Sequence, residues 1–308
     1  MLSCLRSQAS GQPVLQTPRP SDARTAGLPA ARSPEHLANQ ALRHLADRVA
    51  SLPKNRTPEQ PALQTSSTSD ARTARKLDAQ HRPSYRDLMI IAFCGQKGGG
   101  GKTTSAISVA AEWHARKRRV LLVDADPQGS SLTWATVGTE AGASLPTVIA
   151  MGAGLHRPDQ LPTLSQAYDV TVIDCPPRHG DIQRSALMAA DLVILPCGPS
   201  TLDAWALAAS VDLINEARIL RPELEALILI TKKNARTAIG AGARDVLASS
   251  GLPILDTELG YRVTYQEAPA AGLGPTNYEP NGAAALEIRR LVDEIEALMN
   301  KEALRATA

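Results

Sequence analysis

Aromatic residues are scarce in this chain: one Phe, three Trp and five Tyr among 308 residues, or 3%. Apolar residues still make up 43%, so the core must be built mainly from Ala, Val, Leu and Ile. Cysteine is scarce too. Cys4, Cys94, Cys175 and Cys197 are scattered, with no CxxC pair. That spacing argues against a zinc site and against a secreted disulfide framework, and makes a reducing cytoplasm the expected compartment. No run of about eighteen apolar residues exists, so no helical membrane span is expected. The opening "MLSCLRSQAS" lacks the apolar centre of a secretory signal. Its Arg and Ser content, with no acid before Asp22, leaves an organellar leader as the alternative.

The net charge of +2 names no partner, but it is unevenly spread. Residues 1–85 hold 12 Lys/Arg against 6 Asp/Glu, and the remainder 21 against 25. Residues 1–87 are rich in Pro, Ser, Thr, Ala and Arg, a composition that cannot bury enough surface to offset ordering entropy. A mostly disordered extension is expected there, with one helix over 33–52. Ser33 would cap that helix and Pro34 would start it; Ala38, Leu42, Leu45 and Val49 recur at helical spacing. The extension also repeats itself: "QPVLQTPRPSDARTA" (Gln12–Ala26) and "QPALQTSSTSDARTA" (Gln60–Ala74), offset by 48 residues. Two copies do not make a solenoid. A translated DNA element and a duplicated partner-binding peptide both account for them. The ordered part is expected to function without residues 1–88, with Met89 as a candidate start.

From Leu88 the pattern changes. The runs "LMIIAF", "RRVLLVD", "YDVTVID", "ADLVILP", "LEALILIT" and "LPIL" alternate with helical stretches at Thr103–Lys117, Ser200–Arg218 and Ala238–Ser250. The runs are short, rich in Val, Ile and Leu, and lack polar alternation, as strands covered on both faces do. The reading is α/β, with a doubly wound, mostly parallel sheet over residues 88–304.

"LMIIAFCGQKGGGGKTT" places four glycines between a strand and a helix. Such a loop brings backbone N–H groups onto phosphate oxygens at a helix N-terminus. Gly98, Gly99, Gly100 and Gly101 would form the cradle with Thr104. Lys102 would neutralise phosphate charge, and the Thr103 hydroxyl would ligate Mg²⁺. The strict GxxxxGK[ST] pattern asks for glycine where this chain has Gln96. A second lysine, Lys97, lies at the start of the loop, where a side chain can point outward towards another subunit. Asp124 and Asp126 stand two apart, so both face one side of an extended chain, at the edge where ligands bind parallel sheets. Asp124 could also simply cap its turn. Asp174 ends another buried strand, where an unpaired carboxylate is costly and Mg²⁺ is a natural partner. Cys175 beside it reads as a small packing residue.

"QKGGGGKTT" resembles the deviant Walker A motif of the ParA/MinD ATPases. "DADPQG" resembles that family's switch I, and "IDCPP" its switch II. "RSALMAADLVILPCGPSTLDAWALAA" and "YRVTYQEAPAAGLGPTNYEPNGAAALEIRRLVDEIEAL" resemble the short partition branch that includes ParF. The likeness covers about residues 88–300. It implies a P-loop NTPase fold and a weak, partner-stimulated ATPase that forms a homodimer when ATP-bound. Lys97 would reach the partner's phosphates, Asp126 would position the attacking water, and Asp124 would support the Mg²⁺ shell. Departures from the family pattern are Gly100, where the loop usually carries a side chain, and "PPRHGD" after switch II.

Among family branches, a MinD-like membrane helix is not expected. The last helix, beginning after Asn281, places Leu291, Val292, Ile295, Leu298 and Met299 at core spacing, and Asp293, Glu294 and Glu296 would repel anionic lipid. Four scattered cysteines do not suit the cluster-binding or arsenite branches, and no tyrosine cluster follows Tyr278 to suggest a bacterial tyrosine kinase. The resemblance thus implies a cytoplasmic, nucleoid-associated protein that binds nonspecific DNA and partitions a plasmid or chromosome with a ParB-like or small DNA-binding partner. Lys232, Lys233, Arg236, Arg244 and Arg262 are the candidate phosphate contacts. The alternatives are the same ATP switch placing a protein cargo, such as a chemotaxis array or microcompartment, and a MinD-like regulator.

Overall fold

A computed structural model describes residues 89–305. The expected helix over 33–52, the repeat and the rest of the extension lie outside the described residues.

The chain runs β1 (Met89–Phe93), α1 (Lys102–Ala115), β2 (Val120–Asp124), α2 (Ser130–Glu140), β3 (Thr147–Ala150), α3 (Leu161–Ser165), β4 (Val170–Asp174) and α4 (Gly180–Ala189). It continues through β5 (Leu192–Cys197), α5 (Thr201–Leu220), β6 (Glu225–Ile230), α6 (Ala238–Ala241), α7 (Ala243–Ala248), α8 (Thr264–Ala270), α9 (Pro275–Tyr278) and α10 (Ala283–Arg305). The six strands form one sheet in the order β3-β2-β4-β1-β5-β6, and every pairing is parallel. This is the doubly wound fold of P-loop NTPases expected from the sequence.

Strands β1, β2, β4 and β5 are buried along their whole length, which explains their unbroken apolar runs. Alternate residues serve opposite layers. Ile90, Ala92, Leu121, Val123, Ile173 and Val193 pack with Leu187 of α4 and Leu213 and Ile214 of α5. Ile91, Phe93, Leu122, Val172 and Ile194 pack on the other face with Ile107 and Trp113 of α1 and with Ile288, Leu291 and Ile295 of α10. With so few aromatics, most of this core is aliphatic. Phe93, Trp134 and Trp113 are the exceptions; Trp113 is fully buried, its indole N–H donating to Glu296 Oε1 at 2.9 Å.

Several expectations need correction. The single helix expected over Ala238–Ser250 is two short ones, α6 and α7, meeting at Gly242. A Cβ on neighbouring Gly240 would lie 2.0 Å from the Asn234 carbonyl oxygen, so this segment folds against its own loop rather than extending. "LPIL" forms no strand; it touches the sheet through one bridge, Ile228 to Ile254. The edge strand β3 was not expected, being a half-exposed "TVIA" with little apolar signal. The last helix does bury Leu291, Val292 and Ile295, with Leu298 and Met299 partly buried. Its acids, however, are not a free surface. Glu294 accepts the backbone N–H groups of Asp256 and Thr257, and Glu296 is engaged by Trp113 and Arg116. Of the three acids, Asp293 is the exposed one, and it is paired with Arg116. No helix among the described residues is long and apolar enough to cross a membrane.

Candidate functional site

The register of the central strands builds the site. Phe93 pairs with Asp174, and Asp174 with Asp124. The glycine loop that follows β1 and the two carboxylates that end β4 and β2 therefore meet at one level of the sheet's carboxyl-terminal edge. Gly95, Gly99 and Gly101 all have positive φ, at 151°, 77° and 98°, values that side chains rarely adopt. Gly100 is needed for a different reason: a Cβ there would lie 2.8 Å from the Pro196 carbonyl oxygen, at the end of β5. The departure of Gly100 from the family pattern thus has a local cause. Gln96 is no defect either. It is not among the positive-φ residues, its N–H donates to Ser210 Oγ at 3.1 Å, and its amide donates to Gln183 Oε1 at 3.2 Å.

The two lysines of the loop part company. Lys102 is 6% exposed, and its Nζ curls back to the Lys97 carbonyl oxygen at 2.9 Å, inside the loop. Burial pulls its pKa down, against the opposing pull of Asp174 and its neighbours. The Lys97 side chain is 44% exposed and leaves the loop outward, where Nζ meets Asp203 Oδ1 at 2.5 Å.

Asp174 is fully buried. Its two oxygens accept the Thr103 hydroxyl at 3.1 Å and the Ser131 hydroxyl at 2.9 Å. Burial pushes the carboxyl up to about 7, despite those two hydrogen bonds, and Asp124 and Asp126 add to the rise. A buried carboxylate flanked by two hydroxyls, beneath a glycine loop, is a hard-oxygen set that fits Mg²⁺. Such an ion typically takes one or two protein oxygens, leaving the rest to water and phosphate. Asp124 is also buried, and both its oxygens are committed to backbone N–H groups, of Asp126 at 3.2 Å and Leu132 at 2.9 Å. These bonds close the turn, the role weighed as the alternative from sequence. Asp126 is half-buried and accepts the Gln128 N–H at 2.9 Å.

Three participants were missed from sequence. Ser131 lies just past "DADPQG". Gln183 is fully buried and ties Gln96 to the turn after Asp174, its amide donating to the Pro176 carbonyl at 2.6 Å. Glu287 of α10 holds the segment beside the loop, accepting from the Gly260 N–H, the Tyr265 hydroxyl and the Arg262 guanidinium. That segment and Gly101, Thr104, Thr231 and Lys232 line a cavity of about 240 Å³ next to the phosphate loop, with Tyr261 and Gln266 at its rim. Cys94 and Cys175 are buried side by side, their sulfurs 3.2 Å apart. The Cys94 contact and burial push the Cys175 thiol well up, in keeping with a packing role.

The five basic candidates do not form one free face. Lys232 has positive φ and donates from Nζ to the Gly99 carbonyl at 2.6 Å, at the loop itself. Lys233 and Arg244 pair with Glu258, and Arg262 pairs with Glu287 at 2.5 Å. Arg236 is exposed; its backbone N–H bonds Asn234 Oδ1.

Known proteins resemble this chain in sequence and in fold. The profile of the CobQ/CobB/MinD/ParA nucleotide binding domain matches residues 91–276. The maintenance of carboxysome distribution protein A of Halothiobacillus neapolitanus is 32% identical over 211 residues, covering 67% of this chain and 95% of that protein. The chromosome-partitioning ATPase Soj of Thermus thermophilus is 30% identical over 236 residues, covering 67% and 95%. Among solved structures, the cell division ATPase MinD of Pyrococcus furiosus has the same fold, with TM-score 0.56 and 20% identity over 68% of this chain and 99% of its own. An ATP complex of Cyanothece McdA is similar in fold, with TM-score 0.57 and 16% identity over 68% and 97%.

Proposed function

The chain belongs to the CobQ/CobB/MinD/ParA nucleotide-binding family, and from that premise we propose that it is a ParA-type ATPase working as an ATP-gated dimer that distributes a cargo over nonspecific DNA. The observation that carries this reading is the division of labour between its lysines. Lys102 is turned into its own loop, whereas Lys97 is turned out of it. A single-subunit phosphate site needs only the first.

In this reading Gly98, Gly99, Gly100, Gly101 and Thr104 wrap the phosphates, Lys102 neutralises them, and Lys97 reaches those of a second subunit. Thr103 and Asp174 hold Mg²⁺, with Asp124 supporting it indirectly. Bound there, the ion would screen the phosphate charge. Asp126 orients the attacking water, and hydrolysis is slow until a partner stimulates it. The cavity beside Thr104 and Tyr261 suits the nucleoside, since it adjoins the loop and offers aromatic surface.

The cargo has two readings. Partition of DNA through a ParB-like partner follows from the motifs and from the likeness to the partitioning ATPase Soj. Placement of a protein microcompartment is favoured by the likeness to a carboxysome distribution protein. Nonspecific DNA is the proposed track, and Arg236, which is exposed and whose backbone rather than side chain is engaged by Asn234, is the basic candidate to test for it. The test is binding to nonspecific DNA with ATP, with ADP and without nucleotide, over a range of salt. Affinity should appear with ATP and fall with salt. Arg236→Glu should reduce the log–log salt slope by about one. Equal binding in all nucleotide states contradicts the gated reading; an unchanged slope in the variant removes Arg236 from the track.

A further inference from the structure

Asp203 lies at the third position of α5, and its carboxylate serves two masters. Oδ2 accepts the Ser200 hydroxyl at 2.6 Å and the Ser200 N–H at 3.3 Å, closing the capping box of α5. Oδ1 accepts the Lys97 ammonium at 2.5 Å. A Cβ on Gly198 would fall 2.5 Å from Asp203 Oδ2, so a larger residue there would push the carboxylate from this position. The same helix is fixed to the loop a second time, through Ser210 and the Gln96 N–H. The pair is also the outer wall of the loop, sharing a narrow cleft with Gly100, Pro196 and Ala206.

We propose that Asp203 is a positioning residue that parks Lys97 in the single subunit, so that a dimer forms only when both lysines leave their own Asp203. This rests on the cross-subunit reading of Lys97 above. Lys97 cannot hold its own subunit's Asp203 in this geometry and also reach another subunit's phosphates with the same ammonium. A half-exposed ion pair is weak, resisting release by about threefold. Two must open for each dimer, so the combined resistance is about tenfold. A parked lysine of this strength raises the protein concentration needed for dimerisation about tenfold and yields to the triphosphate, whose charge is far larger.

The experiment follows dimer formation by light scattering with Mg²⁺ and ATP, and measures ATP binding to the single subunit separately, in Asp203→Asn, Ser200→Ala, Lys97→Ala and the unaltered protein. Thermal melts establish that each variant is folded. Asp203→Asn should dimerise at about tenfold lower protein concentration with single-subunit ATP binding unchanged. Ser200→Ala weakens the helix cap but keeps the ion pair, and should dimerise like the unaltered protein. Unchanged or weaker dimerisation of Asp203→Asn overturns the proposal, as does an equal gain in Ser200→Ala, which would assign the effect to the helix cap. If Lys97→Ala fails to dimerise while Asp203→Asn gains nothing, only the parking role is lost. If Lys97→Ala dimerises normally, the cross-subunit reading and the parking role fall together.

Discussion

Lys102 and Lys97 leave the same glycine loop, but the first enters a buried polar interior and the second lies against a surface helix. On the inner side the charged groups are held: Lys102, almost fully buried, by a loop carbonyl, and Asp174, fully buried, by two hydroxyls. On the outer side a single ion pair joins Lys97 to Asp203, and the surface beside it is apolar and open. Trp205, two residues on, is 70% exposed, and Leu202 is exposed with it. The inner side therefore reads as a site suited to a charged ligand. The outer side reads as one whose contacts are made to be exchanged. The difference teaches that burial, not sequence spacing, separates the two lysines' work.

The contrast is broken most strongly from the inside. Lys102→Ala removes the buried counter-charge of the phosphates and should weaken ATP binding by about 3 kcal/mol, roughly a hundredfold. Titration with a fluorescent nucleotide measures this. A change of less than about tenfold, equivalent to 1.4 kcal/mol, would place Lys102 outside the phosphate contacts.

A second prediction sharpens the contrast through pH. The Asp174 carboxyl is raised in the folded protein to about 7 from an ordinary value of 3.8. Between those values the folded chain holds a proton that the unfolded chain has lost. Stability from this group therefore falls as pH rises from about 4 to about 7, and the full cost stands above 7. Asp174→Asn cannot ionise. Without nucleotide it should be more stable than the unaltered protein at pH 8, by an amount on the order of a few kcal/mol that shrinks towards pH 4. It should also lose the stabilisation that Mg²⁺ with nucleotide gives. Urea unfolding at pH 8 and pH 5, with and without the ligands, reads both effects. A variant that is less stable at pH 8 would show that the carboxylate is compensated by its hydroxyl partners.

Much of the inner side was legible in the sequence because its signals are local. Four glycines, a Lys-Thr pair and an apolar run on either side fix a strand, a loop and a helix, and the aspartates at the ends of "VLLVD" and "VTVID" fall at the same sheet edge in any parallel arrangement. The strand beginning at Met89 was legible for the same reason. What was not legible depends on distant partners. Nothing in "PSTLDAW" says that Asp203 meets a lysine 106 residues earlier, and nothing in "GAAALEIRR" says that Glu287 organises Gly260 to Tyr265. Lys233, Arg244 and Arg262 read as part of a charged face because their acidic partners, Glu258 and Glu287, lie 14 to 25 residues away in sequence. The split of Ala238–Ser250 into two helices was hidden for a like reason: helical periodicity does not report a backbone packed 2.0 Å from where a Cβ would sit.

The central claim is that one lysine serves its own subunit's nucleotide and the other serves a second subunit's. Lys97→Ala, studied by light scattering alongside nucleotide titration, tests it most directly. The account predicts that the variant binds ATP within a few-fold of the unaltered protein, because its own phosphates are held by Lys102 and the glycine loop, yet stays a single subunit with Mg²⁺ and ATP. Normal ATP-dependent dimers from the Lys97→Ala protein would contradict the account.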